Sequence, residues 1–557
     1  MGCVHRKGER GLRWTIAKGA AHALPDTLLK DPDRFIQENQ SQAAVKDSPV
    51  RSAIVFSGPS HSLFLKAYKA RKPGDRLKHI FLPSKARREW EMVRRALAAG
   101  IPTAAALAMG ERRTHGVLQE AFLVTEAISD SVPLIESIRQ RGGEDYVLRA
   151  ARLLRSMHDA GLHHRDLHAG NILVVKGEED LYVIDLHSCR FTKRVSERRR
   201  LWGLAQFYYS VRGWLSREDR ETFLRLYDED GYMFKGRSPE ILRRIARLEE
   251  QIYRRHMKSR TRRCLKNSSG FYVAKRNGWR IWSRRHWEIE SLFNVLERHR
   301  AHALHETPSL LKKDRRTSIT LFEEMGKRIC VKEYVYAGFL SALKDRFRTP
   351  AARKGWMMGN GLVVRGIGAI TPLALLERRR WGFPREAFLV MESPPEYSEL
   401  DRYMVRTFSS REDRVRKKVK IFVQAVADFM ATLHQLRIAH KDLKTCNIMI
   451  SEKGRRWDFG LVDLDDIQLD KKISERRLIV ELMQLHTSTP LFIDMNNRRA
   501  FLVEFLKRIG TYEVRNIVAK VLDASRGRQL IYVSPQGDVV TTVDWDSLCS
   551  DGPQTAP

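Results

Sequence analysis

Two short runs of this sequence combine residue types that together perform one kind of chemistry. The first is His164-Arg165-Asp166-Leu167, followed by Asn171 and then by Asp185 in LYVIDL. The second is His440-Lys441-Asp442-Leu443, followed by Asn447 and then by Asp463 in GLVDL. Aspartate and asparagine are five residues apart in both. Phosphoryl transfer needs a carboxylate at the acceptor hydroxyl, with an Asn and an Asp sharing the Mg²⁺ that neutralises the phosphates. Asp166 and Asp442 are therefore read as catalytic bases, and Asn171, Asp185, Asn447 and Asp463 as metal ligands. A lone His-Arg-Asp triplet would say little. Two triplets, each with Asn and Asp in register, make an extended signature.

The elements around these residues must bring them together. Each loop leads into an apolar, strand-like run, 172–175 and 448–450, and the second Asp closes another, 181–184 and 461–462. A hairpin of the two runs would set Asn and Asp on one metal. Helical apolar spacing over 146–160 and 419–436 leads into the loops. Trp457-Asp458-Phe459-Gly460 offers a competing Asp-Phe-Gly, eleven residues from Asn447. Asp463, sixteen residues on, follows an apolar pair as Asp185 does. The ligand is assigned to Asp463, and Asp458 is read as a turn residue before that strand.

Upstream, Lys66 and Lys332 end short apolar runs, LFLK and ICVK, with a Tyr two residues later. A strand lysine of this kind pairs with the α/β-phosphates of ATP and with a helix Glu. Either lysine alone reads equally well as a surface residue packing its stem; the matching context in both copies favours the phosphate role. The partner acid separates the copies. SKARREWEMV offers Glu89, with Glu91 as the alternative. TPAARKGWMMG, aligned through Trp90 and Trp356, has Gly355 and Met357 at those places. The second copy is thus expected to lack the usual helix salt-bridge partner of Lys332, and Gly355, Gly359 and Gly361 to weaken its helix. Only Gly58 or Gly326 stands close before each lysine, with no Gly-x-Gly-x-x-Gly, and no Ala-Pro-Glu closes an activation segment. Both absences point away from a protein kinase and towards a small-molecule kinase. Glu126 and Glu392 follow the apolar runs 122–125 and 388–391, where a hinge between lobes would offer backbone groups to adenine.

The whole chain is a repeat. Lys66 and Lys332 are 266 residues apart, as are Glu126 and Glu392; Asp166 and Asp442 are 276 apart, and Asp185 and Asp463 are 278 apart. SERRRLWGLAQFYYS from Ser196 and SERRLIVELMQLHTS from Ser474 are also 278 apart. The blocks keep their order, which marks tandem duplication of one domain and not a solenoid of ~20–50-residue units. The expected fold is α+β: two tandem protein-kinase-like bilobal domains, each with a β-rich N-lobe and an α-rich C-lobe. The expected extents are 1–265 and 266–549, with 550–557 a disordered tail. FYVAKRNGWRIW, just past the boundary, reads as a hairpin about Asn277-Gly278.

Bulk properties fit a chain with real cores and an anionic neighbour. Of 557 residues, 43% are hydrophobic. Lys and Arg number 101 against 67 acids, a net charge of +34, with clusters at 198–200, 254–264, 312–316 and 378–380. Such charge favours nucleic acid, an anionic membrane face or a phosphorylated substrate. The six cysteines are scattered without a Cys-x-x-Cys pair, as expected for free thiols in a reducing compartment. No stretch reaches the ~18 uncharged apolar residues of a membrane span; 96–110 is interrupted by Pro102 and is read as a helix-to-strand connection. The N-terminus shows no signal-peptide core, and Arg6 stands where a myristoylation motif wants Ser or Thr.

HHRDLHAGNILVV, LYVIDLHSCR, the Arg-Glu-Trp before LAAGIP, and RRRLWGLAQF together resemble the lipopolysaccharide kinases of the Kdo/heptose (WaaP-type) group. The resemblance covers most of 63–210. It is weaker over 329–488, with Lys441 for Arg165, Lys444 for His168 and no helix Glu. It implies a kinase-fold enzyme that uses ATP and Mg²⁺ to phosphorylate inner-core sugars on lipid A, at the cytoplasmic face of the inner membrane. By position it implies Asp166 as base, Asn171 and Asp185 as Mg²⁺ ligands, and Lys66 with Glu89 as phosphate clamp. Asp442, Asn447, Asp463 and Lys332 would take the same roles in the second copy. A basic cytoplasmic protein would reach such a substrate peripherally, at ~1 kcal/mol per basic residue near an anionic surface. Two other readings compete. One is a kinase or ATPase acting on nucleic acid or a nucleic-acid-bound protein, which the charge fits equally. The other is a scaffold whose second copy binds nucleotide without chemistry.

Overall fold

Two antiparallel sheets of seven strands each, built to one plan, organise the molecule. In the computed structural model the described residues are 2–48, 51–59, 61–70, 79–141, 144–177, 180–336, 349–368, 370–380, 383–410, 412–454, 456–490, 492–526, 528–533 and 539–544. The chain divides into two units, Met1–Tyr253 and Arg254–Pro557. The expected tail 550–557 and Cys549 lie outside the described residues.

The first sheet comprises Cys3–Lys7 (β1), Leu12–Ala17 (β2), Ala44–Ser48 (β3), Arg51–Ser57 (β4), Ser62–Lys69 (β5), Ala106–Thr114 (β6) and Val117–Glu126 (β7). Its order is β1-β2-β6-β7-β5-β4-β3. Strand alternation explains how this sheet positions the lysine. Leu63, Leu65 and Ala67 of β5 join one core with Leu28, Leu29, Phe35 and Ile36, from the helices Asp26–Lys30 (α1) and Pro32–Ala43 (α2). Lys66 and Tyr68 therefore face the other way, towards Lys85–Ala98 (α3). The continuous apolar run AFLV of β7 follows from burial on both faces: Ala121 and Leu123 join one core, Phe122 and Val124 the other.

Helix α3 begins at Ser84, whose hydroxyl accepts the Arg87 N–H at 3.0 Å. Gly100, in the left-handed region at φ +72°, ends it. Its buried positions Ala86, Glu89, Trp90, Val93 and Ala96 follow helical spacing. Glu89 thus points inward, whereas Glu91 stays at the surface against Arg87. The C-lobe contains Leu134–Arg141 (α4), Glu144–Asp159 (α5), Glu197–Ser210 (α6), Arg217–Tyr227 (α7) and the first part, to Tyr253, of Ser238–Thr261 (α8). Its small sheet joins Ser131–Pro133 (β8), Ile172–Val175 (β10) and Leu181–Val183 (β11), while Leu162–His163 (β9) pairs with Arg190–Phe191 (β12).

The second unit repeats the plan. Phe271–Arg276 (β13), Trp279–Arg284 (β14), Leu310–Lys313 (β15), Thr317–Glu324 (β16), Lys327–Val335 (β17), Thr371–Arg380 (β18) and Phe383–Glu392 (β19) order as β13-β14-β18-β19-β17-β16-β15. Ile289–Leu304 (α9) covers one face and Ala351–Val364 (α10) the other. Below lie Leu400–Phe408 (α11), Asp413–Gln435 (α12), Glu475–Ser488 (α13), Met495–Ile509 (α14) and Val514–Ser525 (α15). Ser398–Glu399 (β20), Ile448–Lys453 (β22) and Arg456–Leu461 (β23) form one small sheet, and Ile438–His440 (β21) pairs with Ile467–Leu469 (β24). A final hairpin pairs Gln529–Val533 (β25) with Val539–Asp544 (β26). Both units are protein-kinase-like, and the fold is α+β.

Three local readings change. The lysine strands run past Lys66 and Lys332, to Lys69 and Val335, because the Tyr two residues on continues the pleat. The three glycines do not break α10, which spans 14 residues. They are buried there, and a methyl at 359 would collide with Pro372 and Leu464, one at 361 with Leu469. Asp458 lies within β23, opposite Ser451, and not in a turn; Gly454, at φ +63°, makes the reversal instead. As expected, α10 carries no acid for Lys332. The Asn277-Gly278 hairpin forms as read, both residues at positive φ and Arg276 paired with Trp279. The five described cysteines are free, and no described helix is long and apolar enough to cross a membrane.

Candidate active site

In the first unit the site is built where β5, α3 and the β10–β11 hairpin meet. Lys66, 6% exposed, sets its Nζ 2.6 Å from Glu89 Oε1 and 3.1 Å from Asp185 Oδ1. The Tyr68 hydroxyl donates to Glu89 Oε2 at 2.9 Å. Both Glu89 oxygens therefore have partners, which a buried carboxylate requires. Asp185 sits at φ +64°, turning its carboxylate back towards Lys66. Arg51, at the start of β4, is bidentate on it at 3.1 and 3.4 Å, and His187 Nδ1 lies 3.3 Å from Oδ1. Burial opposes ionisation of Asp185, but His187, Lys66 and Arg51 outweigh it and hold the carboxyl far below the usual carboxylate range.

The catalytic loop is held from within. His164, fully buried, accepts the Asp166 N–H at Nδ1 (3.1 Å) and faces the Ile184 carbonyl with Nε2 (3.3 Å). These contacts assign the proton to Nε2. Burial pushes His164 down to about 4, so the ring is neutral. Asn171 donates Nδ2 to the Asp166 carbonyl at 3.0 Å, and its own carbonyl accepts the Ile184 N–H at 2.9 Å. That commits Nδ2 as donor and leaves Oδ1 as the atom a cation would meet. Ile172 pairs with Val183, so the expected hairpin does bring Asn171 beside the Asp185 segment. The Asp166 side chain stays 71% exposed, with His168 Nε2 at 3.9 Å. It is open to an incoming hydroxyl.

The second unit reproduces the loop. His440 accepts the Asp442 N–H at 3.2 Å and faces the Val462 carbonyl at 3.0 Å. Asn447 donates to the Asp442 carbonyl at 2.7 Å, and Asp463 sits at φ +52°. The structure places Asp463, not Asp458, against Lys332, at 2.6 Å; Asp458 pairs with Lys453. The helix opposite Lys332 carries no acid, as expected; Lys332 instead also meets Asp465 Oδ1 at 2.8 Å. Asp442 differs from Asp166 in being bridged by Lys444 at 3.2 Å and contacted by Gln484 at 3.4 Å.

Glu126 and Glu392 end β7 and β19 and stand apart from these clusters. Glu126 lies opposite Leu63, and its N–H already serves the Ala105 carbonyl. Glu392 pairs with Lys327 at 2.9 Å. Sequence reasoning missed Arg51, His187 and Asp465, and also Gln206 and Gln484. Those two glutamines donate to the carbonyls of Arg165 (2.8 Å) and Lys441 (3.1 Å). Their signal was present: they occupy matching places in the repeated SERR segments.

Donor atoms of Glu89, Asp185 and His187 lie within 4.8 Å of one another. Of the groups here, the Asp185 carboxylate and the Asn171 side-chain oxygen are the hard oxygen ligands that suit Mg²⁺.

Comparison with known proteins agrees with the geometry. The model of the lipopolysaccharide kinase (Kdo/WaaP) family matches twice, over residues 39–227 and 311–502. The lipopolysaccharide core heptose(I) kinase WaaP of Pseudomonas aeruginosa is 34% identical over 192 residues, which are 30% of this chain and 69% of that protein. Its Escherichia coli counterpart is 26% identical over 221 residues, 36% of this chain and 83% of that protein. The 3-deoxy-D-manno-octulosonic acid kinase of Vibrio cholerae is 33% identical over 76 residues, 14% of this chain and 32% of that protein. A solved structure of WaaP in complex with acyl carrier protein aligns with a TM-score of 0.30 and 26% identity, over 39% of this chain and 93% of that one. With one signature in each unit and both matched regions spanning them, the chain is a phosphotransferase that belongs to the lipopolysaccharide kinase (Kdo/WaaP) family.

Proposed function

We propose that this kinase transfers the γ-phosphate of ATP to a sugar hydroxyl of the lipopolysaccharide inner core, Kdo or heptose, and that the first unit is the active copy. The observation that carries the reading is the Lys66–Glu89–Asp185 chain of contacts beside an open Asp166. Lys66, fixed by Glu89, orients the α- and β-phosphates. Asn171 Oδ1 and Asp185 are the residues that would hold Mg²⁺, which would supply neutralisation of charge on the phosphates. Asp166 accepts the acceptor proton at its carboxylate, in a position His164 sets through the backbone N–H. Arg51 competes with a cation for the Asp185 oxygens and must yield when the site loads. In the second unit Lys332, Asp463, Asn447 and Asp442 are proposed as the corresponding set, with Asp442 masked by Lys444.

The acceptor class rests on the named activities of the relatives and on the net charge of +34. A phosphorylated, lipid-linked sugar is a polyanion at a membrane face, and a basic protein would meet it peripherally, at the cytoplasmic side of the inner membrane. The experiment is phosphate transfer from labelled ATP by the full chain to core oligosaccharide, protein and RNA in parallel. Label on the sugar supports the proposal. Label on protein or RNA with none on the sugar overturns it.

A further inference from the structure

The two units solve one electrostatic problem with the acid in different places. In the first, Lys66 and the Tyr68 hydroxyl converge on Glu89 of α3. In the second, α10 presents Gly355 at that place. There Lys332 meets Asp465 at 2.8 Å, and the Tyr334 hydroxyl donates to the same oxygen at 3.0 Å. Position 465 is two residues beyond Asp463, and the residue two beyond Asp185 is His187. The pair Glu89 and His187 has become Gly355 and Asp465. The carboxylate has moved from the helix to the turn after the strand, and its lysine and tyrosine have stayed.

The packing makes the exchange specific. A methyl on Gly355 would press on Leu389 Cδ2 at 3.0 Å and lie 3.6 Å from the Tyr334 hydroxyl and 3.7 Å from the Asp465 backbone nitrogen, so the bare helix face borders the relocated acid. Lys354 of the same helix donates to the Asp465 carbonyl. Lys332, its side chain 13% exposed, is held between Asp463 and Asp465. A buried cation without such partners is strongly disfavoured.

Resting on the reading of the second unit as a site for a nucleoside triphosphate with its divalent cation, we infer that Asp465 takes the part of the helix acid there and positions Lys332 towards the phosphates. The consequence concerns assembly. In the first unit the clamp depends on α3, because Glu89 sits on that helix. In the second, both acids that hold the lysine lie on one short turn, 463–465, so the clamp stands without any acid from α10.

The test is nucleotide binding by the full chain carrying Asp185→Asn, which disables the metal site of the first unit, with a fluorescent ATP analogue and Mg²⁺. Binding of one nucleotide per chain is expected in that background. Adding Asp465→Asn should weaken it about tenfold or more, the scale of one lost charge-assisted contact. Replacing that change by Gly355→Glu with Asp465→His, which copies the first unit, should restore the affinity, whereas Asp465→His alone should not. Thermal unfolding of each variant confirms that the unit is folded. Absence of binding in the Asp185→Asn background, an unaltered affinity in Asp465→Asn, or a folded relocated variant that fails to recover would each overturn the inference. No acceptor is present in this measurement, so its outcome is independent of whether the first unit phosphorylates a core sugar.

Discussion

Arg51 and Asp185 show how much one residue decides at this site. The guanidinium grips both oxygens that a divalent cation would need. Arg51→Ala should therefore lower the Mg²⁺ concentration that half-saturates turnover, and a higher requirement would contradict this competition. Glu89→Gln should keep the hydrogen bond to Lys66 but lose the charge, reducing kcat/KM by about ten- to a hundredfold, a loss of roughly 1.4–2.8 kcal/mol in transition-state binding. Steady-state kinetics with varied ATP would show it. Much of this site is legible in the amino-acid sequence. The Asp-Asn-Asp triads, both lysines and Glu89 are fixed by spacing and by repetition of their surroundings. Arg51 is not, because it reaches Asp185 from a strand 134 residues earlier, and no local pattern marks such a meeting.

Among the elements, α10 and α13 carry the clearest consequences. The glycines of α10 weaken a helix by propensity, yet tertiary packing uses them for close approach to Pro372, Leu464 and Leu469. Gly359→Ala should destabilise the second unit by about 1–3 kcal/mol through overpacking, measured by urea unfolding. On α13, Glu481 accepts the His440 N–H at 2.9 Å and the Arg477 Nε–H at 3.1 Å. Burial dominates there and pushes its pKa from 4.5 up to about 7. The folded state then binds the proton more tightly than the unfolded chain, so stability falls as pH rises from 4.5 to about 7 and is level above that. Glu481→Gln should remove this slope and stabilise the unit near neutral pH by up to about 3 kcal/mol. A wild-type slope retained in the variant would assign it elsewhere. The helices and hairpins are readable from their periodicity and turn residues. The moved carboxylate is not, since the helix register points to position 355 for the partner of Lys332, and Asp465 arrives from a turn more than a hundred residues further along the chain.

At the scale of the whole molecule, duplication and charge dominate. The net charge of +34 predicts association with vesicles of anionic lipid that weakens steeply as salt rises, at ~1 kcal/mol per basic residue engaged, and little association with neutral vesicles. Co-sedimentation across a salt series measures it. Duplication itself is evident from the constant offsets between blocks, and the shared sheet order confirms one plan used twice. How the copies differ depends on contacts that offsets do not encode, above all the exposure of Asp166 against the Lys444 bridge over Asp442. The central claim, that the first copy phosphorylates a core sugar, is tested most directly by phosphate transfer to core oligosaccharide by the full chain and by its Asp166→Asn and Asp442→Asn forms. Asp166→Asn should lower turnover by about 10²–10⁴-fold and Asp442→Asn should leave it unchanged; turnover that survives Asp166→Asn and vanishes with Asp442→Asn would contradict the account.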